Sequence, residues 1–235
     1  MESSRLPGKA LLDLAGKPLL YHVIDRTLHI KNISKVILAT SESNENYKLA
    51  DLAQTMGVET FFGSALNVLE RFYEAHKAYG GEYIMRITGD NPFVDPEYAS
   101  MALDMAIESD SDLCSIINLP LGVAVEIIKQ EALIKSYKES TESHHLEHVT
   151  PYIKENENLF RINRGIIMYD NYFPDLRLTV DEQDDYTVAK TVYENLYHGA
   201  IFSLQNTIDF FRNNPSLLLI NKNIRQKPMT ESAIK

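Results

Sequence analysis

Glu82-Tyr83-Ile84-Met85-Arg86-Ile87-Thr88-Gly89-Asp90-Asn91-Pro92 reads as a strand that runs straight into a turn. The first six residues suit a half-buried pleated surface. Gly89, Asn91 and Pro92 are turn residues that stop the strand, and Asp90 sends a carboxylate off its end. The same pattern repeats outward in both directions. Upstream, 35–40 has an apolar centre and reads as a buried strand. A polar turn follows at 41–44, with Ser43 or Asn44 as a cap for a helix over about 45–56. Residues 58–62 form a second strand, broken by Gly63-Ser64, with Ser64 as a cap for a helix over 65–79. Downstream, a helix over 96–108 leads to a strand at 112–117. Repeated strand–helix alternation predicts an α/β fold with a mostly parallel sheet and right-handed crossovers. Ligands of such sheets bind beyond the carboxyl ends of the strands. Thr40-Ser41, Gly63-Ser64 and Thr88-Gly89-Asp90 all fall on that edge.

The flanks are less regular. Pro18 opens a helix reaching about residue 28, with Leu19, Leu20, Val23, Ile24 and Leu28 on one side. In the second half, 123–128, 160–169 and 177–180 read as strands. Helices are expected over 130–140, 142–155 and 184–197, with Pro151 restarting or kinking the second. Short helices close the chain near 207–213 and 215–221. With no linker visible, we expect one domain over 1–220, in which 119–180 is an insert serving as a lid or dimerisation region, and a polar tail over 221–235.

Composition narrows the function. The chain has 235 residues, 44% of them hydrophobic, enough for a sizeable core. A net charge of −10 argues against nonspecific binding to nucleic acid or an anionic membrane. Cys114 is the only cysteine, which excludes an internal disulfide and favours a cytoplasmic setting. No apolar run approaches the roughly 20 residues of a membrane span.

Three constellations carry chemistry. Ser3-Ser4-Arg5-Leu6-Pro7-Gly8-Lys9 combines two hydroxyls, two cations and a glycine that lets backbone approach a ligand. Its bland alternative is an exposed basic N-terminus. Asp90 ends one strand and Asp181, in Leu178-Thr179-Val180-Asp181, ends another. Each could be a simple turn stop; Asp184, nearby, could cap the next helix. Taken together, two strand-end carboxylates can hold Mg²⁺ while Arg5 and Lys9 hold phosphates. That is the equipment for transfer at phosphorus.

At this point the sequence resembles the cytidylyltransferases that activate acidic sugars, the 3-deoxy-manno-octulosonate (KDO) and acylneuraminate enzymes, and above all the spore coat polysaccharide biosynthesis protein F branch. The opening loop with Gly16-Lys17-Pro18-Leu19 carries the resemblance, as do Phe62-Gly63-Ser64 with Val68-Leu69-Glu70-Arg71-Phe72, Arg86 to Pro92, Glu147-His148-Val149-Thr150-Pro151-Tyr152, and Leu178 to Asp181 with Asp184-Asp185-Tyr186. It covers about 3–197. It implies a three-layer, Rossmann-like nucleotide-diphospho-sugar transferase fold, and a reaction in which a sugar hydroxyl attacks the α-phosphate of CTP to give a CMP-sugar and pyrophosphate. It implies that Arg5, Lys9, Asp90 and Asp181 are catalytic and that Asp90 and Asp181 bind Mg²⁺. Ser3, Ser4, Arg5, Gly8, Lys9, Ser64 and Arg71 would serve the nucleotide, and Glu126, Glu147 and His148 the sugar. A homodimer is implied as well. Family members carry an apolar strand before the loop; here that first strand is apparently missing, and a form without it would be impaired. Ala124 also replaces an acidic residue common in the branch, on the sugar side. Two alternatives stay open: another nucleoside triphosphate, or a catalytically silent homologue acting as a binding subunit.

His144 and His148 are four apart, a metal-ligand spacing on a helix. No cysteine or third ligand stands at a supporting distance, so surface histidines, or a substrate contact through His148, are expected instead. Cys114, in an apolar strand, reads as a core residue.

Overall fold

The computed structural model describes residues 5–166, 173, 176–226 and 228. Ser3, Ser4 and the end of the strand expected over 160–169 lie outside these residues.

Two short strands, β1 (Asp13–Leu14) and β2 (Lys17–Pro18), form a hairpin that leads into helix α1 (Leu19–Leu28). Then β3 (Ile37–Thr40), α2 (Asn44–Thr55), β4 (Glu59–Phe62), α3 (Val68–Tyr79), β5 (Tyr83–Arg86), α4 (Pro96–Glu108) and β6 (Leu113–Ile117) alternate in order. The cap of α2 is Ser43, whose side chain accepts from the Asn46 amide. Helix α3 starts three residues later than expected. Its cap is Asn67, and Ser64 instead accepts from the Asn67 amide, so the loop 63–67 is a built turn.

The second half comprises β7 (Glu126–Lys129), α5 (Gln130–Glu139), α6 (Ser143–His148), α7 (Pro151–Glu155), β8 (Ile162–Ile166), α8 (Gln183–Leu196) and α9 (Leu204–Asn213). The chain breaks between α6 and α7 at Val149, which takes φ 72° just before Pro151. Residues 177–180 are a correction. They form no strand beyond a single bridge from Arg177 to Leu121, although Leu178 and Val180 amides bond to Leu121 and Asp90 carbonyls. A second correction concerns helix α8. It is capped by Glu182, not Asp184, and the Asp185 carboxylate accepts from the Asp181 and Glu182 amides.

The sheet is mixed. β3 and β4 pair in parallel. The order β5-β7-β6-β8 has β6 and β8 parallel, with β7 antiparallel to both its neighbours. β5, β6 and β8 therefore share one direction, and in this sheet the expectation of parallel neighbours fails at β7. The reason is local: β7 is reached from β6 by a loop too short to carry a crossover helix, so it must run back. Among the described residues β3 pairs only with β4, and β5 only with β7.

Alternation along the central strands sorts the core onto two faces. Cys114, Ile116 and Ile127 face α4, packing with Ala99, Ala102, Leu103 and Ala106. Leu113 and Ile128 face the other way, toward Leu69, Leu133 and Ile153 of α3, α5 and α7. This is helix–sheet–helix layering. A further core joins α1 to α8 and α9 through Leu19, Val23, Val188, Val192, Ile208 and Phe211.

Gly122 positions the site from below. Its φ is 97°, and a Cβ there would lie 2.5 Å from the Thr179 amide nitrogen. Only glycine lets the 119–123 loop lie flat against the segment that ends in Asp181.

Candidate active site

Local structure brings the opening loop onto the strand ends. Gly8, at φ 68°, turns the chain into a 3-10 turn at Lys9–Leu11 and lies against the Glu45 carboxylate at the start of α2. Lys9 then reaches the turn after β5. Its Nζ donates to Asp90 Oδ2 at 2.8 Å, to Asp181 Oδ1 at 3.1 Å and to the Val180 carbonyl at 2.7 Å. Arg5 donates to Glu182 at 3.1 Å and lies 3.3 Å from Asp181 Oδ2. Asp90 is oriented from its other side by the Thr88 hydroxyl, 2.6 Å from Oδ1. So Lys9 bridges Asp90 and Asp181, and Arg5 joins them through Asp181.

Burial pushes the Asp181 carboxyl up, but Lys9, Arg5 and Arg177 outweigh it and hold it below the usual carboxylate range. Arg177 is one residue that the sequence reading missed. It donates to Asp181 Oδ2 at 2.8 Å and to both oxygens of the buried Asp185. Asn221 also donates to Asp185, and Gln226 accepts from Arg177, so part of the segment expected as a polar tail is tied into this network. The available signal was the spacing: Arg177 stands four before Asp181 and eight before Asp185 in an otherwise apolar run.

Ser64 and Arg71 form a second group at the ends of β3 and β4. Arg71 donates to the Ser64 carbonyl at 2.8 Å, while its Nε is buried with no hydrogen-bond partner. Desolvation lowers its pKa. A cleft of about 420 Å³ opens here between Ser41, Glu42, Phe62, Gly63 and Ala65.

Glu126 and His148 belong to a third group. Glu126 pairs across β5–β7 with Arg86 at 3.1 Å, accepts from the Thr150 hydroxyl and is paired with Lys154. Burial pushes its carboxyl up, yet the two cations leave it below its ordinary value. His148 feels Arg86 and Glu126, but desolvation is the largest influence and lowers its pKa. Glu147 is buried beside it on α6. Arg86, Thr150 and Lys154 were not singled out in the sequence.

Comparison with known proteins gives this arrangement its family. The cytidylyltransferase family model matches residues 1–224. This chain belongs to the cytidylyltransferase family. It is thus a nucleotidyltransferase by descent, and the expected resemblance holds. The spore coat polysaccharide biosynthesis protein SpsF of Bacillus subtilis is 32% identical over 220 residues, 92% of each chain. An uncharacterised protein of Methanocaldococcus jannaschii is 35% identical over 233 residues, 97% of this chain and 94% of its own. The solved structure of a cytidylyltransferase from Leptospira borgpetersenii superposes with a TM-score of 0.83 at 26% identity, covering 97% of this chain and 95% of that one. The α/β nucleotidyltransferase fold is thereby established, with the mixed sheet described above.

Proposed function

We propose that this cytidylyltransferase moves CMP from CTP to an acidic or modified sugar, releasing pyrophosphate, with Mg²⁺ as its metal and surface polysaccharide as the destination. The observation that carries this reading is the convergence of Lys9 with Asp90 and Asp181. Two carboxylates and the Val180 carbonyl surround one cationic nitrogen, a cage of hard oxygen donors of the kind Mg²⁺ takes. The fit is therefore good: Asp90 and Asp181 would hold the metal, which supplies charge neutralisation at the triphosphate.

The protein's own residues do the rest. Lys9 and Arg5, released from the carboxylates, are within reach of phosphate oxygens, one as a compact charge and the other as a fork. Gly8 keeps that loop's backbone open to the ligand. Arg177 and Asp185 hold the Asp181 carboxylate in place, so little is lost in ordering it when the site fills. The bare Nε of Arg71 and the cleft beside Ser64 support their place on the nucleotide. Glu126, Glu147 and His148 take the sugar side. A homodimer using the 119–180 region, and a cytoplasmic location beside the triphosphate pool, complete the reading.

The test combines two measurements. Thermal shifts with CTP, UTP and GTP, each with Mg²⁺, rank the base, since a ligand of the native state raises the melting temperature. Pyrophosphate release with CTP and a panel of ulosonic acids reads the reaction. A larger shift with another nucleotide replaces CTP; no shift and no release across the panel overturn the enzyme reading in favour of a silent binding subunit.

A further inference from the structure

The histidine cluster on α6 has a partner that the sequence spacing did not reveal. His148 is not paired with His144. Instead the positive φ of Val149 turns the chain back, and the last residue of α7 returns to the start of α6. There His144 Nε2 lies 2.8 Å from Glu155 Oε1, and His145 Nε2 lies 2.7 Å from Glu155 Oε2. One potential ligand atom from each of the three residues lies within 4.8 Å of the others.

We propose that His144, His145 and Glu155 form a binding site for one Zn²⁺ ion, separate from the nucleotide site. Two imidazole nitrogens and one carboxylate oxygen match the preference of zinc for nitrogen and oxygen donors, with a fourth position left for water. Mg²⁺, which favours oxygen, does not suit this donor set. The geometry needs little change. Tetrahedral zinc with bonds of 2.0–2.1 Å separates its ligand atoms by about 3.4 Å. The present contacts of 2.7 and 2.8 Å therefore have to open by less than about 1 Å. Glu155 can make that movement, because its side chain is 45% exposed at the end of a helix, while those of His144 and His145 are 16% and 7% exposed. His145 Nδ1 is buried with no partner, so no second contact fixes its tautomer. Nε2 can serve as a donor to Glu155 or as a metal ligand.

The ion would staple α6 to α7. Between them lies Thr150, whose hydroxyl donates to Glu126, and α7 carries Lys154, which pairs with Glu126. Zinc here stiffens the corner that supports Glu126 without touching the triphosphate residues.

The experiment is zinc titration of the untagged, EDTA-stripped chain against a chromophoric chelator, with X-ray absorption on the loaded protein. We expect one Zn²⁺ per chain, a coordination shell containing two imidazoles, and uptake undisturbed by excess Mg²⁺. E155Q, at an exposed helix end where folding is safe, weakens binding at least about tenfold. H145Q does the same, and H148Q leaves it unchanged. Absence of uptake overturns the proposal, and so does uptake that E155Q does not weaken. Neither result bears on CTP, because pyrophosphate release is measured separately.

Discussion

Lys9→Met removes the ammonium that Asp90 and Asp181 share. Lys9 is 15% exposed, Asp90 26% and Asp181 12% at the side chain, so the cluster lies between surface and interior. Breaking a fully buried pair costs about 3–5 kcal/mol. An exposed pair is worth less than about 1 kcal/mol. For this intermediate site we expect a loss of roughly 2–3 kcal/mol, since two carboxylates are left facing each other and the Val180 carbonyl loses its donor. At about 2–4 °C per kcal/mol for a chain of this size, the melting temperature falls by roughly 5–10 °C. If Asp90 and Asp181 are the metal pair, Mg²⁺ then substitutes for the missing ammonium. At a hundredfold excess over its dissociation constant it returns about 2.7 kcal/mol. The wild type gains less, because there the metal has to displace Lys9. Thermal unfolding followed by circular dichroism, with and without Mg²⁺, reads both effects. A variant that melts within about 2 °C of the wild type refutes the shared-ammonium reasoning. An equal Mg²⁺ shift in both proteins refutes the competition between lysine and metal.

Three further outcomes follow from the fold. His22 is buried, its Nε2 lies 2.8 Å from the Leu14 carbonyl, and burial lowers its pKa to about 4. The unfolded chain takes up this proton near pH 6.5 and the native one only near 4, so stability falls as pH drops through that window. The loss is roughly 3 kcal/mol at 1.36 kcal/mol per pH unit, and denaturant unfolding at pH 7.5 and 4.5 should lose part of that slope in His22→Phe. Gly122→Ala, whose Cβ would meet the Thr179 backbone, should cost about 3 kcal/mol or more, whereas Gly57→Ala, at φ 73° with nothing within 4 Å, costs about 1 kcal/mol; equal losses in urea unfolding would contradict the close approach. Burial pushes the Cys114 thiol up to about 11, so the native chain should resist a thiol reagent at pH 8 while the unfolded chain reacts at once; rapid native labelling would show that β6 opens.

Much of the site was legible because its chemistry is complementary over long separations. Lys9 stands 81 residues from Asp90 and 172 from Asp181, yet a cationic glycine loop and two carboxylates that end apolar runs are groups of complementary charge, and the fold brings them together. The strand–helix alternation from β3 to β6 was legible from apolar runs and turn residues. The reversal at β7 was not, because Glu126-Ile127-Ile128-Lys129 has the same polar–apolar pattern in either direction and its pairing with β5 and β6 sets its sense. Arg177 was hidden because a buried arginine within Leu176–Val180 is justified only by Asp181 and Asp185. Glu155 was hidden from the histidines because its return depends on Val149 at φ 72°, a conformation that valine does not advertise.

The most direct test of the central claim follows pyrophosphate release from CTP with Mg²⁺ and an accepted ulosonic acid, comparing wild type with Asp181→Asn. We expect release coupled to CMP-sugar formation in the wild type. The variant should fall by about 10²–10³-fold, because the carboxylate set by Arg177 and shared with Lys9 is gone. Wild-type turnover in Asp181→Asn would contradict the account.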